Sequence, residues 1–120
     1  LTFEWLLGHL LAPLAWLLGV PWEDATAVGQ MLGVKTVLNE FIAYQQLAEL
    51  KASLHPRSAV IASYALCGFA NFSSMAILIG GLGSIAPERR TDVARDALRA
   101  VLGGSLASFQ TGAVAGLVLG

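Results

Sequence analysis

The sequence predicts an integral membrane protein built entirely of α-helices, and three observations support this prediction. Hydrophobic residues make up 56% of the chain and charged residues only 12%, whereas soluble domains are roughly a quarter charged. The mean hydropathy is +0.68. Residues 58–87 and 100–120 contain no charged side chain, and each run is as long as the roughly 20 residues that a helix needs to cross a bilayer.

Net charge and cysteine content exclude several other classes of protein. The net charge is −1, and four of the seven basic residues lie between 89 and 99, so no basic surface is available to follow a nucleic-acid backbone. Cys67 is the single cysteine, which rules out a disulfide within the chain and indicates a small buried hydrophobe. The chain begins without methionine and ends in an apolar run. We therefore expect the C-terminal part of a longer polytopic membrane protein.

Residues 1–20 form the first apolar segment. Tryptophans near both ends, Trp5 and Trp16, are typical of a helix that lies along the membrane interface, with a short span as the alternative. We expect Pro13 to interrupt this helix and Pro21 to end it. His9 is expected to pack at the interface rather than to bind a ligand or relay protons.

The next segment carries a lysine and a glutamate, Lys35 and Glu40, in otherwise apolar surroundings. Helical patterns of about 12 to 15 residues flank this pair, and each is too short to span a bilayer. Two such helices joined at a polar tip predict a re-entrant hairpin, whose non-helical backbone must be surrounded by protein or by a water-filled cavity. An ionisable group at this depth is costly, which indicates a function for Glu40.

Each of these two charges has an alternative interpretation. We expect Lys35 to neutralise a carboxylate or a carbonyl end of a helix within the hairpin; direct contact with a substrate is the alternative. Glu40 could simply cap the second half-helix. That alternative is disfavoured because the neighbouring Asn39 can cap the same helix without a charge, so Asn39 is predicted to be a structural residue at the tip.

Residues 58–87 give the strongest transmembrane signal, but the pattern does not predict one uninterrupted helix. Polar residues cluster at 68–74, and three glycines within 80–83 are expected to loosen the far end. Interrupted spans are typical of transporter binding sites, where free backbone groups bind a substrate or an ion. The alternative is that these small and polar residues only pack helices together.

A final helix is predicted to restart at Pro87 and to cross the bilayer after residue 100. Its first turns are polar, and the four arginines between 89 and 99 outnumber the basic residues of the preceding loop. The positive-inside rule therefore places these arginines in the cytoplasm and the mouth of the hairpin outside. The predicted helix carries two i,i+3 ion pairs, Asp92–Arg95 and Asp96–Arg99. It also has an apolar stripe of Val93, Ala97, Val101 and Leu102. A third face consists of small residues, which are Gly103, Gly104, Ser105, Ala107, Ser108, Gly112 and Gly116.

Four segments of the chain resemble concentrative nucleoside transporters. The run G-V-K-T-V-L-N-E-F-I-A-Y at 33–44 resembles the G-x-K-x-x-x-N-E-F-x-A-Y signature of that family. The segments that follow, in the family's order, are S-Y-A-L-C-G-F-A-N-F-S-S at 63–74, I-G-G-L-G at 79–83 and A-P-E-R-R at 86–90. The resemblance covers essentially the whole chain, as the C-terminal third of a bacterial family member.

The resemblance implies a fold of two inverted repeats, each with one hairpin and one broken helix. This chain would supply the second half: an interfacial helix at 1–20, a re-entrant hairpin at 22–54, a broken transmembrane helix at 57–85 and the last transmembrane helix at 87–119. The family assembles as a homotrimer in the lipid bilayer, which for a bacterial member implies the inner membrane.

The resemblance also implies a function, the import of nucleosides coupled to a sodium or proton gradient, with no cofactor. Glu40 at the hairpin tip, together with Asn71 and Ser74 in the broken helix, would bind the ribose, and Phe69 would line the pocket. The spacing of Asn71 and Ser74 corresponds to one helical turn, on the same face. The site for the coupling ion and the hairpin that recognises the base would lie in the first repeat, outside this chain.

Two other functions compete with transport. A membrane enzyme acting on a nucleoside-like or lipid substrate would need a nucleophile and a base, and His9 and His55 are far along the chain from Glu40 and Cys67. No metal-ligand cluster occurs in the sequence either. A purely structural or oligomerising membrane domain is the second alternative, and it gives Glu40 no role in substrate binding.

Overall fold

The chain folds into six α-helices and one short 3₁₀ helix in the computed structural model, which describes residues 2–119. No β-strand occurs within that range, so the predicted all-α architecture is confirmed. The helices are α1 (Phe3–Leu17), α2 (Trp22–Val37), α3 (Glu40–Leu50), α4 (Pro56–Ala65), α5 (Phe72–Ile85) and α6 (Arg90–Leu119), with the 3₁₀ helix at Pro87–Arg89 between the last two.

The α1 and α2 helices pack tightly against each other, with an angle of 117° between them. Gly8 of α1 and Gly29 of α2 allow this contact. A Cβ atom at Gly29 would lie 2.8 Å from the carbonyl oxygen of Gly8 and 2.9 Å from the amide of Ala12. Since these neighbours are backbone atoms that cannot move aside, the two helices approach each other backbone to backbone.

Pro13 does not interrupt α1, contrary to the sequence prediction. The helix continues without a break from Phe3 to Leu17. Pro13 is exposed, so its ring projects away from the packed face, and the helix forgoes one backbone hydrogen bond there. The helix ends at Leu17, and Gly19 in the turn that follows has a φ of 103°, which is readily available only to glycine.

The α2 and α3 helices fold back on each other across a tip of two residues, Leu38 and Asn39. Neither helix is long enough to span a bilayer, since they contain 16 and 11 residues against the roughly 20 that are needed. The pair therefore forms the re-entrant hairpin that the sequence predicts.

Polar contacts fasten the open end of this hairpin to α4. The Asp24 carboxylate accepts a hydrogen bond of 2.9 Å from the backbone N–H of His55 and another from the Ser58 hydroxyl. The Arg57 guanidinium donates from Nε to the carbonyl oxygen of Gly19 at 2.9 Å. Because Asp24 lies in the first turn of α2, its charge also complements the positive end of that helix.

The α4 and α5 helices form a broken pair, separated by the connecting segment 66–71. Gly68 lies in this segment with a φ of 137°, a conformation that side-chain-bearing residues rarely adopt. The break therefore falls within the polar cluster that the sequence singled out. The glycines at 80–83 do not loosen α5, however, because the helix continues to Ile85. The Arg90 side chain packs over Gly83 and donates a hydrogen bond to its carbonyl oxygen.

The α6 helix is the long apolar element of the structure. The helical stretch Pro87–Leu119 is long and apolar enough to cross a membrane. Both predicted ion pairs form at its polar start, Asp92 with Arg95 at 2.9 Å and Asp96 with Arg99 at 3.6 Å. These side chains are largely exposed, so each pair contributes at most about 1 kcal/mol.

Small residues of α6 bring this helix against α4 and the connecting segment. A Cβ atom at Gly112 would lie 2.9 Å from that of Ala65, and one at Gly116 would lie 2.7 Å from the carbonyl oxygen of Leu18. A Cβ atom at Gly104 would approach Ala70 to 3.0 Å. This packing follows the pattern of membrane helices that associate through small residues.

The packing of α4 against α6 predicts the effect of a larger residue at Gly112. We expect Gly112→Val to lower the free energy of unfolding of the full-length protein by about 1–3 kcal/mol because the helices must separate. Gly103→Val is the matched control, since no atom lies within 4 Å of a Cβ built at Gly103. Thermal unfolding in detergent measures both, and equal destabilisation by the two variants would contradict the packing described here.

Candidate functional site

Two asparagines begin the helices that face each other at the centre of the fold. Asn39 precedes α3, and its side-chain oxygen accepts a hydrogen bond of 3.0 Å from the backbone N–H of Ile42. Asn71 precedes α5 and accepts one of 2.8 Å from the N–H of Ser74. Both have extended backbones and are helix N-caps. The structural role predicted for Asn39 is thus confirmed.

Glu40 and Asn71 join the hairpin to the broken helix. The Asn71 side-chain amide donates from Nδ2 to Glu40 Oε2 at 2.7 Å, a distance typical of a strong bond to a charged acceptor. Asn71 is fully buried, whereas Glu40 is half-buried. The second oxygen of the Glu40 carboxylate accepts no hydrogen bond from residues 2–119, so it is available to another donor.

The alternative in which Glu40 merely caps α3 is not supported by the hydrogen bonds of the tip. Asn39 occupies the capping position, and Glu40 is the first residue of the helix. Its carboxylate therefore benefits from the positive helix end while its hydrogen bond is made to Asn71, on a different element.

Phe69 and Ser74 are close to Asn71 in the chain, but they line a cleft to which neither Glu40 nor Asn71 contributes. Both line a cavity of about 230 Å³ between α5 and α6, with Met75, Leu78 and Val101 among the other lining residues. Phe69 is 76% exposed. The spacing of Asn71 and Ser74 predicts that both lie on one face of a helix, whereas Asn71 lies before the helix and its side-chain oxygen accepts from the backbone N–H of Ser74.

Lys35 is fully buried in α2, and its ammonium has no hydrogen-bond partner among residues 2–119. The expectation that Lys35 neutralises a carboxylate or a carbonyl end of a helix within the hairpin stays a prediction, since no direct partner of its ammonium is seen in this range. The prediction that Cys67 is buried is wrong, since Cys67 is exposed in the segment 66–71.

Two residues that the sequence analysis did not single out for the site hold its elements in place. The Tyr44 hydroxyl donates to the carbonyl oxygen of Ser63 at 2.7 Å and so ties α3 to α4. The Ser108 hydroxyl donates to the carbonyl oxygen of Cys67 at 2.8 Å and so satisfies a free group of the break. Tyr44 could have been suspected, since a buried tyrosine usually finds a partner for its hydroxyl.

The donor and acceptor groups of the site suit a neutral, hydroxyl-bearing ligand. A carboxylate offers acceptor sites only, and none of the residues 2–119 forms a group of three side chains that could hold a metal ion. Interrupted helices whose N-termini meet around an ionised side chain are characteristic of secondary transporters, where broken spans form the substrate site. The hairpin tip and the break before α5 in this chain have that kind of arrangement.

Comparison with known proteins identifies the family. Residues 1–116 match the family model described as "Na+ dependent nucleoside transporter C-terminus", and the chain belongs to this family. It is 48% identical over 118 residues to the uncharacterized transporter YutK of Bacillus subtilis, covering 98% of this chain and 29% of that protein. It is 45% identical over 125 residues to the nucleoside permease NupC of Helicobacter pylori, covering 100% of this chain and 30% of that protein.

A solved transporter structure has the same arrangement of helices. The structure of CNTnw in an inward-facing substrate-bound state matches with a TM-score of 0.91 and 45% sequence identity, over 98% of this chain and 29% of that one. The resemblance to concentrative nucleoside transporters is therefore confirmed, as is the fold of the second half of such a transporter. The present chain spans about three tenths of the length of these relatives.

The capping role of Asn39 leads to a prediction about the stability of the hairpin. We expect Asn39→Ala to lower the free energy of unfolding of the full-length protein by about 1 kcal/mol or more, since the N–H of Ile42 loses its acceptor. Asn39→Ser retains an acceptor at the same position and serves as the control. Thermal unfolding in detergent compares them, and identical unfolding midpoints for the two variants would argue against the cap.

Proposed function

We propose that this chain is the C-terminal part of a secondary active transporter that imports nucleosides, and that it supplies the ribose-binding half of the substrate site. The observation that carries the proposal is the hydrogen bond of 2.7 Å between Asn71 and Glu40. It fixes one carboxylate oxygen and leaves the other free, at the meeting point of two half-helices. Similarity to the nucleoside permease NupC and to CNTnw in a substrate-bound state supports the choice of substrate.

The chemistry of a ribose fits the free groups of this site. Its hydroxyls are donors, and an ionised carboxylate accepts from them in charge-assisted bonds stronger than neutral ones. Asn71 uses Nδ2 and Oδ1 within the chain, but each of these groups can take part in one further bond. Ser74 and Phe69 extend the site into the cleft between α5 and α6, where the Phe69 ring offers an apolar surface.

The remaining properties of the whole transporter are part of the same proposal. Transport is coupled to a sodium or proton gradient, and the site for that ion lies outside this chain. The protein assembles as a homotrimer and crosses the bacterial inner membrane several times. It changes no covalent bond of its substrate and needs no cofactor. The name of the family, which specifies sodium dependence, supports gradient coupling.

The ribose assignment predicts the effect of removing the charge of Glu40. We expect Glu40→Gln and Asn71→Ala to raise the KM for uridine uptake by the full-length transporter about 10- to 100-fold. This loss corresponds to hydrogen bonds to a charged group of about 1.5–3 kcal/mol. Uptake of radiolabelled uridine into vesicles or cells, normalised to the amount of transporter in the membrane, measures it.

Glu49 provides a matched control on α3, the helix that begins with Glu40. Glu49 is exposed and lies near the opposite end of α3, so Glu49→Gln removes an equal charge away from the site and is expected to leave uptake unchanged. Normal uptake by Glu40→Gln would refute the ribose assignment. A chemically altered product in the vesicles would instead support an enzyme.

Hydroxyl recognition also predicts selectivity between sugars. The transporter should discriminate against 3′-deoxyuridine and 2′-deoxyuridine relative to uridine, because a site built around a hydroxyl is left with unpaired groups when the hydroxyl is missing. We expect Glu40→Gln to reduce this discrimination for at least one of the two analogues. Competition against uridine binding, measured for both proteins, tests it; unchanged selectivity in the variant would show that Glu40 does not contact the sugar.

A further inference from the structure

The segment 66–71 between α4 and α5 lies outside the helices and ends at Asn71. At its far end, the N–H of Asn71 donates to the carbonyl oxygen of Phe69 at 3.0 Å, which closes a three-residue turn. In its first half, the carbonyl oxygen of Cys67 accepts no backbone hydrogen bond from residues 2–119. It accepts a hydrogen bond of 2.8 Å from the Ser108 hydroxyl instead. A side chain of α6 therefore holds the part of the segment that its own backbone does not.

The Ser108 hydroxyl departs from the usual pattern of hydroxyls within helices. Serine and threonine in a helix commonly donate to the carbonyl oxygen four residues earlier, and four residues of this chain do so, namely Thr36, Ser63, Ser84 and Thr111. Ser108 lies inside α6 and is only 7% exposed, but its hydroxyl donates to a residue 41 positions away in the chain. The bond is thus a contact between two elements and not a local feature of the helix.

Two contacts with α6, one helical turn apart, determine the course of the segment. Ser108 Oγ lies 3.0 Å from the position that a Cβ atom of Gly68 would take, and Gly68 has a φ of 137° that other residues rarely adopt. Gly104 lies four residues before Ser108 and so on the same face of the helix. A Cβ atom at Gly104 would lie 3.0 Å from that of Ala70. The segment therefore follows one face of α6 up to the residue before Asn71.

We propose that Ser108 is a positioning residue for the substrate site, because its bond to the Cys67 carbonyl oxygen fixes the segment that presents the Asn71 amide to Glu40 and to the ribose. This role rests on the proposed function and extends it to a residue that shares no hydrogen bond with Glu40 or Asn71. Ser108 acts through Asn71 and does not bind the ligand itself.

Removal of the Ser108 hydroxyl should weaken substrate binding. Without it, the carbonyl oxygen of Cys67 loses its partner, and Asn71 adopts additional orientations in which its amide does not reach the ligand. These orientations lower the fraction of the protein that is competent to bind, and the apparent Kd rises by the same factor. The loss of one ordinary hydrogen bond corresponds to a change of about three- to tenfold.

The test measures equilibrium binding of uridine to the purified full-length transporter. For Ser108→Ala we expect the Kd to rise about three- to tenfold. Thr111→Val is the matched control, since it removes an α6 hydroxyl that bonds only within its own helix. For this control we expect a change of less than about twofold. An unchanged Kd for Ser108→Ala would overturn the inference.

A double-mutant cycle with Asn71→Ala separates positioning from a general structural role. If Ser108 acts through Asn71, then Ser108→Ala should change the Kd by less than about twofold in the Asn71→Ala background. A general defect in packing would weaken binding by the same factor in both backgrounds, and this result would overturn the inference. Failure of the wild type to bind uridine would instead overturn the proposed function, so the two failures are distinguishable.

A second pair of variants covers the case in which Ser108→Ala does not fold. Gly104→Ala places a Cβ atom 3.0 Å from that of Ala70 and so displaces the segment without removing a hydrogen bond. Gly103→Ala is the control, because no atom lies within 4 Å of a Cβ built there. We expect Gly104→Ala alone to raise the Kd about threefold or more, and we expect this effect to disappear in the Asn71→Ala background. Equal Kd values for the two glycine variants, or an effect that persists in that background, would overturn the inference.

Discussion

The hydrogen bond between Asn71 and Glu40 is the interaction on which the rest of the site depends. Each of the two residues stands where a helix begins, and each helix begins because the chain is interrupted. Interruptions expose backbone groups that lipid cannot satisfy, so they must be enclosed by protein. A single bond of 2.7 Å brings the two interruptions together. The carboxylate that makes this bond also retains an acceptor for a ligand.

Contacts with the other helices fix the positions of these two interruptions relative to each other. Ser108 of α6 satisfies the carbonyl oxygen of Cys67, and Gly104 allows the same helix to lie against Ala70. Tyr44 ties α3 to the end of α4. The tight contact of α1 with α2 fixes the other side of the hairpin. Within this chain, polar contacts hold the centre of the site and small residues pack at its edges. The small residues allow the backbones of neighbouring helices to approach closely.

The sequence predicted the helical elements better than it predicted their contacts. Length, hydropathy and the polar clusters were enough to place the hairpin and the break, because the cost of exposed backbone in lipid leaves few alternatives. Pro13 and the glycines at 80–83 were overestimated as helix breakers, because α1 and α5 continue through them. The bond between Glu40 and Asn71 joins residues 31 positions apart, and no spacing rule encodes such a contact. The unpaired state of Lys35 was equally invisible, because it depends on what surrounds the side chain in three dimensions.

The length of α6 has a consequence for how the chain is seated in the bilayer. Its 30 residues extend about 45 Å at the usual rise of a helix, whereas the hydrocarbon core is about 30 Å thick. The uncharged part from residue 100 to 119 accounts for roughly 30 Å of this length. This uncharged part is therefore long enough to cross the hydrocarbon core. The first ten residues carry the exposed ion pairs, side chains that are costly to bury in hydrocarbon, so the polar start and the apolar remainder of α6 suit different depths of a bilayer.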